Sequence, residues 1–200
     1  MDTVTREAAS QLGVSQRQVQ RLAHTGRVMS RDVAGRKVIS QKSIVAASRS
    51  KERGRRWDER TVAAAAELLQ GGSTERVTGS QRSRLRARLR TISAAELAYH
   101  ALGERVTLWR RAGQASARSD SAADGLTTTG QRLQIKVVKN AAATARRERL
   151  LEDTDGDILL VEIHTDAPAV IENIALYAYG DTRTSSAAKQ RIEARRSALA

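Results

Sequence analysis

Apolar positions in the first fifty residues come in short bursts with helical spacing. Ala8, Ala9 and Leu12 share one face of a segment that opens at Thr5, and Val19 and Leu22 share one face of a segment that opens at Ser15. The residues between these bursts punctuate two helices. Thr5 is placed to cap the first, with Glu7 in its first turn, where the helix dipole favours negative charge. Gly13 ends that helix at a position that commonly needs φ > 0. Ser15 caps the second, Gln18 completes a capping box, and Val14 and Val19 are spaced as a hydrophobic staple. Gly26 stops it. Val28, Val33, Val38 and Ile39 then flank an Ala34-Gly35 turn, which predicts a β-hairpin over residues 27–40. Ser40 caps a short helix to about Ala47, with Ile44 and Val45 packing back on the first two helices.

The pattern changes after residue 48. Residues 49–56, RSKERGRR, are polar, basic and glycine-interrupted, and read as a linker, either a solvated tether or a strap along a DNA backbone. Asp58 caps a helix that runs to Gln70, with Val62, Ala65, Ala66 and Leu69 as its buried stripe and Trp57 as an anchor before the cap. A further helix starts at Ser80 around Leu85, Leu89 and Ile92. Its five arginines occupy alternate positions and so flank both sides of that stripe, which suits arginines lying along a half-buried helix better than a single phosphate-binding face. Ser93 and Glu96 form another capping box for a helix that ends at Gly103. Strands are expected at 105–109, 133–138 and 157–163, and helices at 141–151, around 171–179, and from Ser185 or Ser186 to about Leu199. Helices and strands mix in this half. The expected fold is therefore α+β, with a domain at residues 1–48, the linker at 49–56 and a mixed α/β domain at 57–200.

Charge sharpens the picture. The formal net charge is +13. Residues 1–56 hold 13 Lys/Arg against 4 Asp/Glu, residues 57–112 hold 10 against 6, and residues 113–200 hold 12 against 12. A surplus concentrated on the first quarter matches a nucleic-acid footprint better than uniform compositional drift does. There is no cysteine, so disulfides and cysteine metal sites are excluded, and His24, His100 and His164 lie far apart in sequence. No signal segment or spanning apolar run is present, so a cytoplasmic protein without a membrane partner is expected.

Once its inward residues are subtracted, the second helix presents Gln16, Arg17, Gln18, Gln20 and Arg21. Arg can grip guanine and Gln adenine through paired hydrogen bonds, and the N-terminal part of such a helix faces the base edges. Arg31, Arg36 and Lys37 surround the hairpin turn, where they either meet phosphate or stay solvated, and Arg27 leads into it. The expected DNA-binding set is Thr5, Ser15, Gln16, Arg17, Gln18, Gln20, Arg21, Arg27, Arg31, Arg36 and Lys37. Glu7-Ala8-Ala9, Leu12-Gly13-Val14-Ser15 and Val19-x-Arg21-Leu22 resemble the MerR and excisionase type of winged helix-turn-helix. That resemblance covers the first quarter of the chain and implies DNA binding. No long heptad-patterned dimerisation helix of the MerR kind follows. The whole chain is similar to AbiEi-type antitoxins of toxin-antitoxin systems, on Ser119-x-Ser121-Ala122-Ala123-x-Gly125-Leu126 and Tyr177-x-Tyr179-Gly180-Asp181-x-Arg183. This likeness implies an autorepressor that binds an inverted-repeat operator in double-stranded DNA as a homodimer, with a cognate toxin, or the toxin's target, as second partner.

Two patterns bear on enzymatic chemistry. Asp153-x-Asp155-x-Asp157 opens like a calcium loop but has Ile158 and His164 where Gly and Glu are required, so it reads as an acidic turn before a strand. Asp124 with Gln134-x-Lys136 faintly resembles a metal-dependent nuclease motif. A DNA-acting nuclease with an N-terminal targeting domain is thus one alternative, and a phage excisionase-like architectural protein another. The leading expectation is a non-enzymatic DNA-binding repressor without cofactor or metal.

Overall fold

The computed structural model describes residues 2–50, 54–113 and 133–199. The whole 119–126 motif, Asp124 included, therefore lies, with the rest of 114–132, outside the described residues. In chain order the elements are β1 (Asp2–Val4), α1 (Thr5–Leu12), α2 (Gln16–His24), β2 (Ser30–Val33), β3 (Arg36–Ser40), α3 (Gln41–Arg49), α4 (Glu59–Leu69), α5 (Gly79–Thr91) and α6 (Ala94–Ala101). A single 3₁₀ turn at Gly103–Arg105 leads to β4 (Val106–Arg111). Then come β5 (Gln134–Val138), α7 (Ala141–Glu148), β6 (Leu150–Glu152), β7 (Ile158–Glu162), α8 (Pro168–Tyr179) and α9 (Thr182–Ser197). The fold is α+β.

The first unit forms around a small core of Ala8, Ala9, Val19, Val28, Ile39 and Ile44. Gly13 adopts φ 65°, which a side chain would resist, and turns α1 into α2 within three residues. Ser15 caps α2 by accepting the Gln18 N–H at 3.2 Å. Ala34 and Gly35 both have positive φ, 49° and 74°, as a two-residue hairpin turn of the primed kind requires, and they pair Val33 with Arg36. The first cap differs from expectation. β1 pairs with β3, Val4 opposite Val38, which holds Val4 extended and makes it the N-cap of α1 without a side-chain bond. Thr5 is the first helical residue, and its hydroxyl donates to the Lys37 carbonyl at 3.4 Å.

The second unit is built on a four-stranded sheet in the order β5-β7-β4-β6, with β5 parallel to β7 and the other pairs antiparallel. The apolar run Ile158 to Val161 is buried throughout because β7 is covered on both faces. Leu159, Val161 and Ile163 join the large core with α4, α5, α6, α8 and α9, while Ile158 and Leu160 pack with Ala141, Ala145 and Leu150 on the α7 side. Two boundaries are corrected. The helix expected to Leu151 ends at Glu148, because Arg149 takes a left-handed φ of 54° and the chain re-enters the sheet as β6. The last helix starts at Thr182, where Asp181 caps it by accepting the Thr184 N–H at 2.7 Å. The Ser185 hydroxyl instead donates to the Tyr177 carbonyl at 2.6 Å.

The two units are docked through α3. Ala46 belongs to the large core and Met29 packs against it. The Arg49 guanidinium donates to the carbonyls of Tyr177, Ala178 and Gly180 at the C-terminal end of α8, and the Tyr177 hydroxyl donates back to the Arg49 carbonyl at 3.0 Å. At the other end of α3, Ser40 Oγ donates to the Thr154 carbonyl at 2.6 Å. Lys42 Nζ donates to the Asp155 carbonyl at 3.0 Å and to that of Gly156.

Candidate nucleic-acid interface

Three local causes shape the outer surface of the first unit. Val19 is fully buried and Leu22 and Ala23 pack beside it, which fixes the rotation of α2. At about 100° per residue, Gln16, Gln20, Arg17 and Arg21 then fan over an arc of about 140° on the opposite side. All four are exposed. The Ser15 cap anchors the end of α2 from which Gln16 and Arg17 project, where the helix dipole favours an anion.

The hairpin adds charge on two faces. Arg31 pairs with Val38 and Val33 with Arg36, so Arg31 and Arg36 share a face; Lys37 lies on the other, opposite Asp32. Arg31, Arg36 and Lys37 are all exposed. Asp32 is the one acidic residue in the sequence between 16 and 40, so this surface is strongly positive.

The structure separates the remaining expected residues from that surface. Gln18, although exposed, borders a concavity shared with Leu12, Val14, Leu22, Arg27, Ala47, Ser48, Ser50 and Arg56, on the side toward the second unit. The Arg27 guanidinium lies 5.5 Å from the centre of the Tyr99 ring, and that of Arg56 lies 5.2 Å from the same ring. Both cation–π contacts join the first unit and the segment after α3 to α6. Thr5 and Ser15 serve as local fasteners. The outer surface is thus Gln16, Arg17, Gln20 and Arg21, with Arg31, Arg36 and Lys37 at the hairpin.

Ser40, Lys42 and Arg49 hold this surface in place, a role the sequence does not signal: Ser40 reads there only as a helix cap and Arg49 only as the start of a linker. Burial pushes the Lys42 ammonium below its ordinary pKa, while Asp155, Asp157 and Asp153 pull the other way. The 153–157 turn is therefore a docking element. Asp153 accepts the Asp155 N–H at 2.9 Å and pairs with Arg110 at 3.0 Å. Gly156 is needed there because a Cβ would lie 2.1 Å from the Trp109 carbonyl oxygen. A buried stack lies behind α6. His100 is parallel to Trp57 at 4.7 Å and its Nε2 accepts from Arg88 at 2.8 Å; burial, reinforced by the Arg88 charge, lowers the His100 pKa.

The nuclease-like positions are only partly visible. Gln134 is exposed on β5, and Lys136 Nζ pairs with Glu148 at 2.5 Å, an interaction that holds the Glu148 carboxyl below its usual range. Among the described residues no group of three or more His, Asp or Glu is placed to hold a metal ion, and no helix is long and apolar enough to cross a membrane. No protein-family model, curated protein or solved structure matches the chain.

Proposed function

We propose that the chain is a sequence-specific repressor that binds double-stranded DNA through a winged helix-turn-helix, with α2 in the major groove and the β2–β3 hairpin as the wing. The observation that carries this reading is the outer face of α2. Four exposed side chains on one arc, two Gln and two Arg, are those suited to reading base edges, and they stand on a helix whose rotation is fixed by a buried valine. Arg31, Arg36 and Lys37 supply sequence-independent attraction to phosphate. The regulatory role rests on the sequence likeness to AbiEi-type antitoxins. It gives an autorepressor acting as a homodimer on an inverted repeat upstream of its own gene, with the second unit meeting a toxin or the toxin's target.

The test is a footprint of the full chain on its own upstream DNA in excess random DNA. Paired protected half-sites are expected. Arg17→Ala and Arg21→Ala should each cost about 1–3 kcal/mol of operator binding and relax the base preference at one position. Wild-type affinity and preference in both variants would remove α2 from the role of reader.

A further inference from the structure

The charged surface of α5 has a division of labour that the first unit does not explain. This helix carries Arg82, Arg84, Arg86, Arg88 and Arg90 and no acidic residue. It buries Leu85 and Leu89. The two C-terminal arginines, although exposed, are tied to the rest of the fold: Arg88 bonds His100 and lies 5.1 Å over the Trp57 ring, and Arg90 Nε donates to the Leu199 carbonyl at 2.8 Å. The three N-terminal arginines are exposed and have no partner among the described residues. Arg82 and Arg86, one turn apart, line a concavity of about 400 Å³ with Ser73 and Ser83. No carboxylate lines it. Glu67, which reaches into the neighbouring loop, is already held by the Thr74 hydroxyl and the Arg76 guanidinium, both at 2.6 Å.

We infer that the side of α5 bearing Arg82 and Arg86 is a second, sequence-indifferent surface for the phosphodiester backbone of duplex DNA, with these two arginines as its cations and the Ser73–Ser83 concavity seating a phosphate, while Arg84, about 160–200° around the helix, lies off it. Guanidinium groups match phosphate with paired donors, the serine hydroxyls add neutral ones, and the N-terminal half of the helix is the end whose dipole favours anions. The choice of polyanion rests on the DNA-binding reading above. The surface itself rests on α5 alone, so the two can fail separately. Its consequence is a protein that holds DNA at two places, one that reads sequence and one that does not.

The experiment uses the full chain and a random-sequence duplex of about thirty base pairs, titrated by fluorescence anisotropy at several salt concentrations. The variant R82Q/R86Q should bind at least about 10-fold more weakly near 0.1 M salt, and R84Q should bind much as the wild type does. The slope of log affinity against log salt in R82Q/R86Q should be shallower by about 2, from a loss of about 0.9 per phosphate contact. R82K/R86K should keep most of the slope. Circular dichroism melts check folding, which these exposed substitutions should leave intact. Wild-type affinity and slope in R82Q/R86Q would overturn the inference. So would loss of tripolyphosphate binding with the duplex slope unchanged, since the concavity would then take a small phosphate instead. A wild-type chain that shows no operator preference over random DNA would sink the repressor reading and leave the α5 result readable.

Discussion

The two units of this protein differ in how they are held together. The second closes a sheet between α7 on one side and five helices on the other, and its larger core is one cluster that takes in residues from Trp57 to Leu199. The first has six buried apolar residues, two of them alanines. A core of that size in about fifty residues is marginal by itself. It also gives the whole outer arc of α2 to polar side chains. What makes up the difference is α3, which contributes Ile44 to the small core and Ala46 to the large one. The lesson is that a surface rich in charge and poor in carbon can be carried by a unit too small to support it, provided one helix is shared with a larger core.

Predictions follow from that contrast. Leu159→Ala, at a fully buried position in the large core, should have the largest effect, about 2–5 kcal/mol, and should lower the unfolding midpoint of both units together. A midpoint that falls only for probes in the second unit would break the comparison. Arg49→Ala should come next. It strips a shared donor from the end of α8 and should cost about 1–3 kcal/mol, read as faster amide exchange in α1, α2 and β3 with the second unit little changed. Equal protection in variant and wild type would mean that the first unit stands alone. The smallest effect is expected from His100. Its folded pKa lies below the ordinary 6.5, so below pH 6.5 the unfolded chain takes up a proton that the folded chain refuses. Stability is full above that pH and declines as pH falls from 6.5 toward the folded value. His100→Gln should flatten this part of a melting-temperature profile between pH 7.5 and 5 and leave the acid limb, set by carboxylates such as Asp58 and Glu67, in place.

The sequence was most legible where structure is locally determined. Ser15, Ser40, Asp58 and Ser93 each cap the helix expected of them, because a cap is a bond between residues three apart. The Ala34-Gly35 turn and the buried strand through Leu160 were visible for similar reasons. β1 was not, since three residues become a strand only by meeting β3. β6 was hidden because the helix before it is broken by Arg149, a residue without the usual glycine signal. Of the candidate interface, the arc on α2 could be read from helical spacing. The turning of Arg27 toward Tyr99, and of Gln18 toward the second unit, depends on how two distant segments pack. Arg49 and Arg56 belong to a stretch that composition describes as solvated, yet both are engaged with other parts of the fold.

The bonds that Ser40, Lys42 and Arg49 donate to the second unit end on main-chain oxygens: those of Thr154, Asp155 and Gly156 at one end and of Tyr177, Ala178 and Gly180 at the other. A carbonyl survives substitution of the residue that bears it. The seam is therefore lopsided in its tolerance to drift. For these bonds Ser40, Lys42 and Arg49 must keep their identities, whereas Thr154 and Asp155 need only hold the backbone path; Gly156 is fixed by its fit under Trp109, Ala178 by its burial in the large core, and Tyr177 by the bond its hydroxyl returns to Arg49. Such a joint lets the second unit diversify its surface toward new partners while the angle at which it carries the first unit is inherited unchanged.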